Sequence, residues 1–284
     1  MNKLNNMKVC WWLILGMGLF FCQVTTVLGA TATPFSVSLG FDFASGDYGT
    51  GEDTESIRIP LTLGYVPNDW LDFELVIPYL YQDNDSTVNL GGQRFPRHSS
   101  GSGGSGGSGY SGGMGDETEI SNASQNGLGD VTLTAGYILH QETETLPMFR
   151  PIVYIKMPTG DEDKGLSTGA FDFGGGLSLG KGFGDWFTYA EAMYVAPGTT
   201  SSYKPDDYWT YLMSASYSLT EQLAYGIDLS GATAAFDNGD DALAVEFNVN
   251  YWTSQYGRIG GYVAKGLSDG SADYMVGFSS MINF

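Results

Sequence analysis

The chain closes on Tyr274-Met275-Val276-Gly277-Phe278-Ser279-Ser280-Met281-Ile282-Asn283-Phe284. Tyr274, Val276, Phe278, Ile282 and Phe284 take alternate positions and are large and mostly apolar, with Ser280 as the exception. Gly277, Ser279, Met281 and Asn283 fall between them. Successive side chains of a strand point to opposite faces. The stretch therefore reads as a strand with one oily face and one small or polar face, ending on an aromatic residue. One side of it requires an apolar solvent, and the other tolerates water.

The same alternation recurs upstream. Strands are expected at Phe35–Ser45, Ser56–Val66, Trp70–Tyr81, Gly129–Gln141, Phe149–Met157 and Phe171–Gly182. Six more are expected at Trp186–Val195, Tyr208–Leu219, Leu223–Ala234, Ala242–Thr253, Gly257–Leu267 and Ala272–Phe284. Each is near the ~9–11 residues that a tilted strand needs to cross a hydrocarbon layer. In the third, Leu71, Phe73, Leu75, Ile77 and Tyr79 oppose Asp72 and Glu74. In the tenth, Leu243, Val245, Phe247, Val249 and Tyr251 oppose Glu246, Asn248 and Asn250.

The connections alternate as well. Short ones fall after every even strand, for example Pro67-Asn68-Asp69 and Phe183-Gly184-Asp185; longer Gly-, Asp- and Ser-rich ones follow the odd strands. Membrane barrels join their strands by short periplasmic turns and longer external loops. The fold class expected is therefore all-β: an antiparallel up-and-down transmembrane barrel of twelve strands, with both ends of the chain in the periplasm. Alternation alone also fits a soluble β-sandwich or lipocalin-like barrel. Those folds explain neither the terminal Phe nor an oily face on nearly every strand. Phe284 resembles the carboxyl-terminal assembly signal of outer-membrane barrels, which implies a barrel-assembly machinery as partner.

The amino-terminal end agrees. Lys3 and Lys8 precede an apolar run from Val9 to Phe21, with Ala30-Thr31-Ala32 as a cleavage site. This is the pattern of a secretory signal peptide over residues 1–32, leaving a barrel over 33–284. The run is short of the ~20 residues of a spanning helix. Cys22 stands where a lipoprotein box would place its Cys, but Phe21 is too large for the residue before it. Both cysteines, Cys10 and Cys22, lie in the leader, so the mature chain has neither a disulfide nor a thiolate metal site.

The chain has 41 Gly, 18 Tyr, 16 Phe and 6 Trp, a mixture suited to aromatic girdles outside and small residues inside a barrel. Trp70 and Trp186 directly follow short turns, where such a girdle is expected. The net charge of −20 becomes more negative once the leader, with two lysines and no acids, is removed. Such a surface repels nucleic acid and anionic substrates. The acidic loops are expected to be solvated, and alternatively to bind cations or meet lipopolysaccharide at the outer-membrane surface.

Between about Asn84 and Asn126 the chain is polar, with Gly101–Gly113 almost wholly Gly and Ser. Flexible coil outside the barrel is the expectation, because Tyr110 and Met114 read as its only anchors; the alternative is a gate folded into the lumen. Pro60 and Pro78 inside strands predict local bulges. Gly174-Gly175-Gly176 predicts a bend or open lumen space.

Several local patterns resemble one family in order and spacing. Val76-Ile77-Pro78-Tyr79 closes the third strand, Gly127-Leu128-Gly129-Asp130 opens the fourth, and Lys156-Met157-Pro158-Thr159-Gly160-Asp161 ends the fifth; Gly169 and Asp172 enter the sixth. Together, across roughly Phe35 to Phe284, they resemble the outer-membrane transporters of the phenol-degradation meta-pathway type. The resemblance implies an outer-membrane barrel that passes small, often hydrophobic or aromatic, compounds.

Parity places Arg58, Asp72, Glu74, Asp130, Lys156, Asp172, Glu191, Asp228 and Glu246 on the face opposite the lipid, with Arg150 and Arg258 near its periplasmic end. These residues either filter solutes by charge and size or pair with one another as a plug. Twelve strands lie between barrels filled by side chains and open aqueous pores. No cofactor or metal is expected. His98 and His140 are the only histidines. The chain has no HExxH, P-loop or nucleophile elbow, so it does not read as an enzyme. Asp161-Glu162-Asp163 and Asp237, Asp240 and Asp241 do not match EF-hand spacing. The function expected is passive passage of small solutes. The alternative is a closed structural barrel whose acidic loops bind cations or partners.

Overall fold

The computed structural model describes residues 34–49, 51–84, 87–90, 93–96, 124–237, 239–254 and 257–284. Residues 1–32, expected as a leader, and Gly101–Gly113, with His98, Tyr110 and Met114, lie outside the described residues. The strands are β1 (Phe35–Gly46), β2 (Thr54–Asn68), β3 (Leu71–Gln82), β4 (Thr87–Leu90), β5 (Gln93–Pro96), β6 (Gln125–Leu128), β7 (Val131–Tyr137) and β8 (Met148–Met157). They continue as β9 (Asp172–Phe183), β10 (Trp186–Ala196), β11 (Tyr208–Ser218), β12 (Leu223–Ala232), β13 (Ala242–Ser254), β14 (Gly257–Gly266) and β15 (Tyr274–Asn283).

Each barrel strand pairs antiparallel with its sequence neighbours, and β1 pairs with β15, so the sheet closes on itself. β6 and β7 are two pieces of one stave, both paired with β3, which makes a barrel of twelve staves. Closure removes every free edge, the condition for placing strands in lipid. The seam is finished by the chain's last residue. Phe35 N donates to Phe284 O at 3.3 Å, and Phe284 N donates to Phe35 O at 2.9 Å.

The two prolines behave differently from each other. Pro60 and Pro78 face one another across β2 and β3 in unbroken register, so no bulge forms there; the one shift between those strands lies at Tyr65–Asn68, beside the short turn. On its other side, β3 meets β7 and β6 in registers that differ by one residue, the extra residue lying in the Gly129–Val131 stretch of the opposite stave. Pro78 has no N–H for the ladder. Its carbonyl instead accepts from Gly129 N at 2.9 Å. A bulge is thus present at Pro78, on the partner stave, and absent at Pro60.

The outer face is apolar. Phe278 is 63% exposed to solvent, and Met213, Ile227, Val263 and Leu39 are comparably uncovered. In water such a continuous surface would aggregate; in lipid it is solvated. Near the short turns an aromatic row crosses the seam. Phe284 stacks on Phe35 with 6.3 Å between centroids, Phe35 on Tyr65 at 4.8 Å, and Tyr65 on Phe73 at 6.2 Å. Trp186 and Tyr217 continue it at 5.1 Å, and Trp70 is exposed in the same zone.

The core therefore lies inside the barrel. Part of it comes from an unexpected source. β4 and β5 form a separate hairpin in the segment expected to be coil, and its Val88 and Leu90 are fully buried. Two apolar side chains on one small hairpin are enough to anchor it, and that pattern is too short to stand out in a polar stretch. The segment also ends earlier than expected, because Gln125–Leu128 already pairs with β3.

Candidate functional site

The lumen is built from the inward residues of each stave, and register sorts them into layers. On β8, from the short-turn rim to the long-loop rim, these are Arg150, Ile152, Tyr154 and Lys156. Their neighbours on β9 are Ser178, Gly176, Gly174 and Asp172. Across β9, β10 adds Glu191, Met193 and Val195 beside the first three of these. Charged residues thus lie at both ends of this wall, with an apolar band between them.

The lower layer centres on Arg150, which has no exposure. Its Nε donates to Asp72 Oδ1 at 3.0 Å and its Nη2 to Asp72 Oδ2 at 2.6 Å, a two-pronged ion pair. Nη1 donates to Ser178 Oγ at 3.3 Å, and that hydroxyl donates to the Arg150 carbonyl at 3.1 Å. Glu191 accepts from the Tyr189 hydroxyl two residues away on the same face.

The upper layer centres on Lys156, equally buried. Its Nζ lies 2.9 Å from Asp172 Oδ2 and 3.3 Å from Asp130 Oδ2, and donates to Thr168 Oγ1 at 2.8 Å. Each carboxylate is held from behind by a backbone N–H at 3.1 Å: Gly160 on Asp130, and Gly198 on Asp172. Thr159 Oγ1 donates to Gly129 O at 2.8 Å and accepts from Val131 N at 2.9 Å. The short motifs that are scattered along the sequence therefore meet in one knot around Lys156.

The staves from β12 round to β2 are different. Asp228 and Glu246 face each other directly across β12 and β13. Asn248 Nδ2 donates to Asp228 Oδ2 at 2.7 Å. Asp42 lies opposite Arg58 in register and accepts from the Tyr262 hydroxyl at 2.9 Å. Beside it Gly40, Gly260, Asn248, Asn250 and Tyr262 line a recess in the wall. One oxygen of each of Asp42, Asp228 and Glu246 is buried without a hydrogen-bond partner among the described residues.

Asp72, Asp130, Lys156, Asp172, Glu191, Asp228 and Glu246 are buried, while Arg58 and Glu74 are half-buried on the same inward parity. The structure joins Asp72 to Arg150, and Asp130 and Asp172 to Lys156. Asp228 sits beside Glu246 and stays apart from both basic centres in the pairing of the staves. Asp42 was legible but missed: in Phe35–Ser45 it alternates with Phe41 and Phe43, which face outward. Tyr154 was available by the same parity.

The apolar band carries Ile152, Tyr154, Met193 and Val195, joined by Tyr208 and by Val88 and Leu90 of the hairpin. The glycine run on β9 accommodates these large neighbours, and its register with β8 and β10 runs through unbroken. A Cβ at Gly174 would stand 3.2 Å from Tyr154 Cδ1 and 3.3 Å from Met193 Sδ, and one at Gly176 would stand 2.4 Å from Ala192 O. The hairpin is fastened by Arg94, whose Nη1 donates to Gln82 Oε1 at 2.6 Å and to Thr87 Oγ1 at 3.2 Å. Burial lowers the Arg94 pKa from its usual value, and the neighbouring Tyr48 and Asp83 act against that shift.

A closed twelve-stave barrel, oily outside and layered with buried charge inside, defines a transmembrane antiparallel β-barrel. The chain belongs to the family described as "Putative MetA-pathway of phenol degradation", whose model matches residues 29–284. The COG4313 outer membrane channel from Pseudomonas putida F1 shares the fold, with a TM-score of 0.65 and 14% identity over 90% of this chain and 97% of that one. A KdgM porin aligns with a TM-score of 0.52 and 6% identity over 88% of this chain and 99% of that one. No curated protein matches the chain in sequence.

Proposed function

We propose that the chain is an outer-membrane channel for passive passage of small solutes, apolar or aromatic compounds among them. The observation that carries this reading is the apolar band inside the lumen, flanked by ionic layers on the same wall. A purely aqueous pore has no use for Ile152, Met193 and Val195 on its inner face, whereas an apolar solute is less costly to hold there than in water. The family's description, which speaks of phenol degradation, supports the same solute class. In this reading Phe284 serves assembly, the acidic loops face lipopolysaccharide, and no residue is catalytic. Bilayer recordings of the purified barrel together with uptake of toluene and phenol into liposomes test it. Absence of both conductance and uptake would overturn it.

A second reading is a closed structural barrel. The two buried ion-pair centres favour it, because each fills lumen space with fixed side chains. The cation-binding loops that this reading adds have little support: among the described residues no cluster of acidic or histidine side chains is arranged to hold a metal. The same recordings separate the two readings, since a closed barrel neither conducts nor passes solute.

A further inference from the structure

The β4–β5 hairpin covers a patch that is out of place in a wet lumen. Ile152, Tyr154, Met193, Val195 and Tyr208 form one buried apolar cluster with Val88 and Leu90. Closer to the short turns, the neighbouring staves β11, β12 and β13 instead turn Ser214, Ser216, Asp228, Asn248 and Asn250 inward. The two strands of the hairpin pair with each other and with no barrel stave. It is held by the Arg94 bond to Gln82 on β3 and by Asn89 N, which donates to Gly165 O, in the connection after β8, at 3.0 Å. A tethered occupant of this kind competes with any solute for the same surface.

One polar group in the patch is unsatisfied. The Tyr154 hydroxyl belongs to a side chain only 3% exposed and has no hydrogen-bond partner among the described residues. A buried hydroxyl without a partner is costly, and the cost is relieved by any ligand that brings one. Val88 and Leu90 bring none.

We propose that this patch is a binding site for a small, mostly apolar molecule carrying one hydrogen-bonding group, and that the hairpin occupies it in the solute's absence. The solute replaces Val88 and Leu90 against Ile152, Met193 and Val195, and its polar group bonds the Tyr154 hydroxyl. The inference deepens the channel reading by naming the site and the segment that must leave it.

Phenol and toluene are the matched probes, with calorimetry on the full chain in detergent as the readout. The double variant Val88→Ser, Leu90→Ser removes the competing contacts and leaves Arg94 in place. Because apparent affinity is reduced by the fraction of sites already covered, this variant binds both probes about tenfold tighter than the unaltered chain. Arg94→Gln loosens the hairpin without touching the patch and gives the same direction. Tyr154→Phe, added to the double variant, weakens phenol about five- to tenfold and leaves toluene unchanged. The proposal is overturned if neither hairpin variant tightens binding, or if Tyr154→Phe weakens both probes equally. Conductance without these affinity changes sinks the site and leaves the channel; the affinity changes without conductance leave the site and sink the channel.

Discussion

A Cβ placed on Gly136 would stand 1.9 Å from Nη2 of Arg150. Gly136 pairs with Asp72 on one side and with Ile152 on the other, so its stave runs between the two partners of the ion pair. The guanidinium reaches Asp72 by lying flat across the glycine. Gly136→Ala therefore pushes Arg150 off its carboxylate. Because the pair is buried, we expect a loss of ~1–3 kcal/mol, read as a lower midpoint in urea-induced unfolding from detergent or lipid. An unchanged midpoint would show that the guanidinium moves at no cost.

The ion pair itself is open to a double-mutant cycle. Asp72→Leu alone strands a buried guanidinium and costs ~3–5 kcal/mol, whereas Asp72→Leu with Arg150→Met recovers most of that loss. Additive losses in unfolding experiments would mean that the two groups do not interact. Lys156→Met should behave like the single variant, since Asp130 and Asp172 then face each other without a cation between them.

The outer face makes a depth-dependent prediction. Phe278 sits near the middle of β15 on the exposed side. Phe278→Lys places an ammonium in hydrocarbon at ~2–4 kcal/mol, while Ser279→Lys, one residue on and facing inward, costs markedly less. Folding yields into liposomes would compare them; equal losses would mean that the two faces share one solvent.

Phe284 contributes both backbone bonds and an aromatic ring to the seam. Phe284→Ala keeps the bonds to Phe35 and loses the stacking. Deleting Phe284 loses both. If the ring is the assembly signal, the alanine variant and the deletion should lower the amount of folded barrel in the outer membrane to a similar extent. If only the seam matters, the alanine variant should assemble normally. Heat-modifiable mobility of the barrel in membrane fractions gives the answer.

Asp42, Asp228 and Glu246 are the acidic groups of the lumen wall built by β12, β13 and β1. In a conducting barrel, Asp228→Asn with Glu246→Gln should shift the reversal potential in a salt gradient toward anions. An unshifted potential would place the ion path elsewhere.

Much of the barrel is legible in the chain itself. Period-two alternation assigns a face to each residue, and the short and long connections fix the antiparallel order of the staves. The strands expected at Ala272–Phe284 and Trp186–Val195 are found at Tyr274–Asn283 and Trp186–Ala196, close to where alternation puts them. The reason is physical: lipid accepts only one kind of side chain, so the outward positions are written in one alphabet. That alphabet also gives the inward parity of Asp72, Lys156 and Asp228 without any contact being known.

Partners inside the lumen are another matter. Parity shows that Arg150, Asp72 and Gly136 face inward, but only the stave order and the register lay the guanidinium across the glycine onto that carboxylate. The closing strand shows the same division. The sequence of Tyr274–Phe284 determined its oily face and its small one, because a strand's side chains alternate whatever it pairs with. The tertiary structure decided that Phe284 meets Phe35, and that Val88 and Leu90 of a polar segment seal the band around Tyr154. Those contacts join residues far apart in the chain, and no local pattern encodes which distant surface a side chain will reach.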